Sequence, residues 1–148
     1  MRLETTVIGT RNATIHGGLC LPRGVMSRKI LVVEDQADIR KMMKILLEIN
    51  GFDVIEAADG YEAVEKAVDE MPDLILMDIA MPVMDGLNSS RTIRLHEELR
   101  NIPIVAITAY GDFYNKRARA AGCIDVLQKP VDLGELKPLV ERYIGGSG

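Results

Sequence analysis

Five residues sit where short apolar runs end, and their types suit one kind of chemistry. Glu34 and Asp35 follow Ile30 to Val33, Asp78 follows Leu74 to Met77, Thr108 follows Ile104 to Ile107, and Lys129 comes shortly after Ile124 to Leu127. If the first and third runs are neighbouring strands, three carboxylates converge and repel. Taken alone, the Glu34-Asp35 pair reads equally well as the start of a helix, where acids cap free N–H groups. Asp78 is harder to explain that way, because a carboxylate buried behind an apolar strand is costly without a partner. A hard divalent cation relieves the repulsion: Mg2+ takes oxygen ligands in an octahedral shell and keeps several waters. Asp35 and Asp78 would then be direct ligands, Glu34 would act through water, and the backbone carbonyl of Ala80 would complete the protein's share. The Thr108 hydroxyl can bond an oxyanion, and Lys129 is a long-reaching point charge suited to a phosphoryl group. Each of these two is weak alone. Together with the acids they describe a place where a phosphoryl group, its metal and its countercharge fit.

The elements that must position these residues are legible in the apolar pattern. Strand-sized runs at Ile30 to Val33, Phe52 to Ala57, Leu74 to Met77, Ile104 to Ile107 and Ile124 to Leu127 alternate with helical patterns. Three of the runs are almost wholly apolar, as strands buried on both faces of a parallel sheet must be. The first helix carries Ile39, Met42, Met43, Leu46 and Ile49 before Gly51. The second runs from the cap Asp59 through Ala63, Val64, Ala67, Val68 and Met71 to Pro72. The third should follow Asp85-Gly86 and run towards Arg100, with Ser89 and Ser90 weakening its inner face. The fourth should begin at Asp112 and present Tyr114, Ala118 and Ala121. In the fifth, Asp132 and Glu135 make a capping-box pattern, and Pro138 implies a kink or a late start. This is an α/β pattern: a doubly wound, five-stranded parallel sheet with helices on both faces, whose ligands bind beyond the carboxyl ends of the strands.

Composition narrows the function classes. The 148 residues match one domain, with 47% hydrophobic and 27% charged residues, which excludes a disordered chain. Eighteen Lys and Arg against 22 Asp and Glu give a net charge of -4, which disfavours binding to nucleic-acid backbones. No apolar run approaches the about 20 residues of a membrane helix. Cys20 and Cys123 lie far apart with no metal-ligand spacing around them, so both are expected as free thiols in a reducing compartment, the cytoplasm. Residues 1–27 lack a period beyond Thr5 to Ile8, carry Arg2, Arg11 and Arg23 against Glu4, and read as a flexible arm, native or added upstream of Met26. Its deletion is expected to change little. Residues 145–148 read as a flexible tail.

The segment 28–144 resembles the receiver domain of two-component response regulators, the CheY-like family. The match rests on Ile30-Leu31-Val32-Val33-Glu34-Asp35, on Asp78-Ile79-Ala80-Met81-Pro82-Val83-Met84-Asp85-Gly86, on Thr108-Ala109 and on Lys129-Pro130, in that order and spacing. The resemblance implies a flavodoxin-like sheet of strand order 2-1-3-4-5, an order for which CheY is itself a standard example. It implies Asp78 as phosphoacceptor from the phosphohistidine of a histidine kinase or histidine phosphotransfer protein. It also implies Mg2+, or Mn2+ in its place, on Glu34, Asp35, Asp78 and the Ala80 carbonyl. Thr108, Ala109 and Lys129 would bind the phosphoryl group and switch, with Lys129-Pro130 as a cis turn. The implied chain is a signalling switch, not an enzyme beyond slow self-dephosphorylation.

The sequence departs from that family pattern in places. Three residues before the lysine, where the family usually has Tyr or Phe, stands Val126, and Ser89, Ser90 and Pro138 are also atypical. No output domain is recognisable after Ile144, so a stand-alone or excised receiver is expected. A haloacid-dehalogenase-type phosphatase would need a second Asp where Ala80 stands. A flavodoxin would need a phosphate-cradling loop where Glu34-Asp35-Gln36 would repel the FMN phosphate. A pseudo-receiver scaffold would not need the intact acids, Thr108 and Lys129.

Overall fold

The computed structural model describes Ile15–His16, Leu19–Cys20 and residues 28–81 and 83–144. Strands β1 (Lys29–Val33), β2 (Asp53–Ala57), β3 (Leu74–Asp78), β4 (Ile104–Thr108) and β5 (Asp125–Gln128) alternate with helices α1 (Ala37–Ile49), α2 (Gly60–Glu70), α3 (Gly86–Arg94), α4 (Gly111–Ala120) and α5 (Leu133–Ile144). The strands pair in parallel in the order β2-β1-β3-β4-β5, the expected arrangement.

Alternation along the strands feeds two cores. Leu31, Val33, Ile75, Met77, Ile104 and Ala106 face one side, where Ala63 and Ala67 of α2, Leu87 and Ile93 of α3 and Ala118 of α4 meet them. Ile30, Val32, Leu74, Leu76, Val105 and Ile107 face the other, against Met43 and Leu47 of α1 and Leu136 and Val140 of α5. Every residue of β3 and β4 is buried. Side chains of this size contribute about 1.5–3 kcal/mol each on burial, so the two middle strands are anchored from both faces.

Several expectations need correction. The third helix stops at Arg94, and a single 3-10 turn, Glu97–Leu99, follows it. The bonds Leu95 N–H to Thr92 O and His96 N–H to Ile93 O tighten its last turn. Arg94 then folds back to donate to the carbonyls of Gly122, Leu99 and Arg100, satisfying loops that a longer helix would have displaced. The fourth helix begins at Gly111, one residue before the expected Asp112. The fifth starts at Leu133 and continues through Pro138, so no late start occurs. Pro138 and Gly134, one turn earlier, are both exposed, so water can take the bond that proline cannot make. Asp132 receives the Gly134 N–H on its side chain at 2.8 Å, and its carbonyl receives Glu135 N–H, in place of a full capping box.

Ser89 and Ser90 do not weaken the inner face of α3. Both are fully buried: the Ser89 hydroxyl donates to the Gly60 carbonyl at the start of α2 (2.9 Å), and the Ser90 oxygen lies 3.5 Å from the Cys123 thiol. Cys123 is free and buried, and burial pushes its pKa up, keeping it a thiol. The side chain of Cys20 lies outside the described residues, as do Thr5 to Ile8 and residues 145–148. Within the expected arm, Ile15–His16 pairs antiparallel with Leu19–Cys20, a short hairpin that the absence of periodicity concealed. The intervening sequence is Gly17-Gly18, a pair favoured in two-residue hairpin loops. Among the described residues no helix is long and apolar enough to cross a membrane.

Ser89 offers a test of this packing. Ser89→Ala should cost about 1 kcal/mol by removing the buried hydrogen bond that ties α3 to the Gly60 carbonyl, and Ser89→Leu should cost more by forcing α2 and α3 apart. Urea unfolding measures both, and a stabilising Leu would show spare room between the helices.

Candidate functional site

The strand order places the expected residues in one row. Val33 is registered with Met77, so Glu34, directly after β1, lies beside Asp78 at the end of β3; Thr108 ends β4, registered with Gln128, and Lys129 follows β5. Carboxylate oxygens of Glu34, Asp35 and Asp78 all lie within 4.8 Å of one another. Glu34 and Asp78 are buried, at 2% and 1% exposure, while Asp35 is exposed. Lys129 Nζ reaches Asp78 Oδ1 at 3.2 Å and Glu34 Oε1 at 3.5 Å.

Two buried carboxylates thus share one ammonium, and the electrostatics record the imbalance. Burial pushes the Glu34 carboxyl up to about 7; the Gln36 N–H and Lys129 oppose this, and the charge of Asp78 adds to it. Burial alone would lower the Lys129 ammonium, but Asp78 and Glu34 outweigh it and hold the pKa above its ordinary value. Asp78 Oδ1 also accepts the Ala80 N–H at 3.2 Å, whereas buried Oδ2 has no hydrogen-bond partner among the described residues. An all-oxygen donor set with an unpartnered buried carboxylate oxygen and a deficit of positive charge fits a hard cation.

Thr108 stands at the row but apart from the acids. It is buried, its hydroxyl accepts the Tyr110 N–H at 3.1 Å, and its carbonyl accepts the Lys129 N–H at 2.8 Å. Ala109 and Ala80 are exposed on the loops above the strand ends. The Lys129-Pro130 peptide is cis, as expected. Val126 is half-buried on β5 and packs against the core beside α4.

Some supporting residues escaped the sequence reading. Arg40 on α1 donates to the Glu34 carbonyl at 2.7 Å and to Glu56 on β2 at 3.1 Å, fixing the turn that carries both leading acids. Its only sequence signal was a basic residue one turn into a helix that follows acids. Gly86 and Gly60 set the loop after Asp78. A methyl group on Gly86 would overlap the Asp78 carbonyl oxygen, and one on Gly60 would overlap the Met84 carbonyl oxygen. Backbone approaches of this kind leave no periodic trace.

Residues 30–141 match the model of the response regulator receiver domain. The chain belongs to this receiver family. The receiver is 35% identical over 123 residues to the polar-differentiation response regulator DivK of Brucella ovis, covering 81% of this chain and 98% of that protein. Among solved structures, Vibrio cholerae chemotaxis protein CheY4 superposes with a TM-score of 0.76 at 31% identity, covering 79% of this chain and 98% of that one. The receiver domain of a sensor histidine kinase from Pseudomonas aeruginosa PAO1, described with a magnesium ion coordinated in its active site cleft, superposes with a TM-score of 0.75. It is 37% identical, covering 80% of this chain and 98% of that one.

The raised Glu34 pKa makes the metal-free receiver pH-sensitive. Its folded-state value exceeds that of the unfolded chain, so the favourable neutral carboxyl is fully present below about pH 4.5 and is lost as pH rises through about 7. Glu34→Gln should therefore match the parent in urea midpoint near pH 4, with chelator present, and exceed it near pH 7.5. An equal gap at both pH values would refute this origin.

Proposed function

We propose that this receiver takes a phosphoryl group onto Asp78 from a phosphohistidine of a histidine kinase or histidine phosphotransfer protein. The observation that carries the reading is Asp78 Oδ2, a buried carboxylate oxygen without a partner, next to Lys129 and two further acids. Of the two Asp78 oxygens, one would hold the cation and the other would be the nucleophile. Its lone pair would form the new O–P bond while the N–P bond of the donor breaks and its electron pair returns to the imidazole. Asp35 and Asp78 would hold a divalent cation directly, Glu34 through water and Ala80 through its carbonyl. Mg2+, or Mn2+ in its place, would neutralise charge on the transferring group.

Once the acyl phosphate exists, Lys129 would leave its carboxylate partner for a phosphoryl oxygen, and the Thr108 hydroxyl would turn from Tyr110 N–H towards another. Ala109, on the loop directly after Thr108, would move with it. We take residues 28–144 as the working domain, with 1–27 as an arm and 145–148 as a tail, in a cytoplasmic setting. On this reading the chain is a phosphoacceptor switch and, at most, a slow phosphatase towards its own aspartate.

With Mg2+ and a small phosphodonor such as acetyl phosphate, mass spectrometry should find one phosphoryl group, on Asp78. Asp78→Asn should stay unmodified, and a chelator should suppress labelling of the parent by at least tenfold, the scale on which lost charge stabilisation reads in rate. Persistent labelling in Asp78→Asn with no other residue taking over would overturn the assignment. Absence of labelling in the parent would favour a scaffold.

Val126 shapes the readout. A stiff, short valine cannot swing between two stable positions as an aromatic ring can, so activation should move the loop after Thr108 with little change at position 126. Adding beryllofluoride should concentrate NMR shift changes from Thr108 to Arg119, and Val126→Tyr should retain phosphorylation. Dominant changes at Val126 and α5 would refute this readout.

A further inference from the structure

Helix α1 is apolar on two opposite sides, and only one of them meets the sheet. Met43 and Leu47 are buried in the core that α1 shares with α5. On the outer side Met42, Ile45 and Ile49 are 44%, 49% and 75% exposed. Their spacing of three and four residues places them within about 60° of one another around the helix, so they form one stripe. Single exposed apolar residues need no explanation, whereas a helix apolar on both sides is ordinarily covered on both. Lys41 and Glu48, seven residues apart on one flank of the stripe, are exposed and pair with no opposite charge among the described residues. Their neighbours Arg40 and Lys44 are both engaged by Glu56.

These two charges select the occupant. A segment of one sign would satisfy one of them and repel the other. A second α1 laid antiparallel, with a two-fold axis at Ile45, satisfies both. Antiparallel packing sets like flanks side by side, so Lys41 of each copy lies beside Glu48 of the other, and the symmetry makes the pair twice. At about 1.5 Å per residue, Met42 stands about 4.5 Å from the axis and Ile49 of the second copy about 6 Å along the same direction, an offset that side chains absorb. Ile45 meets Ile45 on the axis itself. A parallel pair would lay the charged flank against Ile39 and Leu46, which are half-buried in the core of their own copy, and would leave both charges unpaired.

We propose that the outer face of α1 packs antiparallel against α1 of a second copy of this chain, with Ile45 at the two-fold axis and Lys41 paired to Glu48 across it. Three apolar side chains and two charges from each copy fall short of the about 800 Å2 per partner of a standard interface, so the dimer is transient and forms at high concentration. It draws on neither the strand-end acids nor Lys129 and stands independently of the phosphoacceptor reading.

The test is analytical ultracentrifugation of the full chain over a concentration series at low salt, which should show a reversible monomer–dimer equilibrium. Ile45→Glu sets two carboxylates against each other on the axis and should weaken association about tenfold or more. Lys41→Glu and Glu48→Lys each turn both ion pairs into like charges and should weaken it about fivefold. Combining the two exchanges the signs and re-forms both pairs, so the double variant should return to within about twofold of the parent. All three positions are exposed, so urea midpoints should stay close to that of the parent, which separates lost pairing from lost folding. A parent that stays monomeric up to about 1 mM would overturn the proposal. So would an Ile45→Glu variant that dimerises as the parent does, or a double variant no better than its singles.

Discussion

Glu34 and Asp78 lose nearly all contact with water at adjacent strand ends and have one ammonium between them. Removing each carboxylate from water costs several kcal/mol, and Lys129 cannot compensate both. The arrangement persists because the backbone leaves no alternative. Glu34 N–H is bonded to Ala57 O, Ile79 N–H to Ile107 O, and the strands between them are buried on both faces. The cores thus hold together a site that on its own would relax by moving the acids apart, and within it burial keeps a proton on Glu34 up to about pH 7. A receiver built this way is poised for added positive charge, and the same imbalance that destabilises it without a cation would supply the affinity for one.

The loop after Asp78 shows how far that constraint spreads. Asp78, the phosphoacceptor of our reading, precedes Ala80, and the chain must then return to start α3 without covering the cleft. Gly86 N–H bonds Ile79 O, its bare Cα sits against the Asp78 carbonyl, and Met84 rests on the bare Cα of Gly60. Ser89 closes the arrangement by bonding the Gly60 carbonyl. The first turns of α2 and α3 therefore act as a floor for the loop, and a hydroxyl in a buried position serves better there than the leucine that amphipathic patterning would favour.

This explains which parts of the molecule the sequence disclosed. The three inner strands and their acids are legible because parallel strands buried on both faces are almost wholly apolar, which leaves Glu34, Asp35 and Asp78 conspicuous at their ends. Ser89 and Ser90 were misread because a period counts polarity and cannot see a carbonyl waiting across a helix interface. The end of α3 was misplaced because Arg94 satisfies three separated carbonyls at once, a tertiary choice with no local signature. Pro138 argued for a kinked or late-starting helix, yet tolerance depends on exposure, which composition does not report. The tether from Tyr110 N–H to the Thr108 hydroxyl was equally invisible, since it involves a backbone donor.

That tether bears on how a receiver with Val126 can still transmit a signal. A buried aromatic switch converts displacement of a hydroxyl into a rotamer change, and its energy gap comes from packing one ring in two places. With valine at that position the displaced hydroxyl must act on something else within reach. What touches it is the backbone of the residue that starts α4. A hydrogen bond of this kind is worth about 0.5–1.5 kcal/mol, enough to shift a conformational equilibrium several-fold but not to create a second rigid state. On our reading of Thr108 the output of such a device would be graded: α4 would loosen at its first turn while Arg119, paired with Asp125, keeps its far end against β5. On that reading, a partner that prefers the released form would supply the remaining free energy, so that partner and phosphoryl group would select the same state through the first turn of α4.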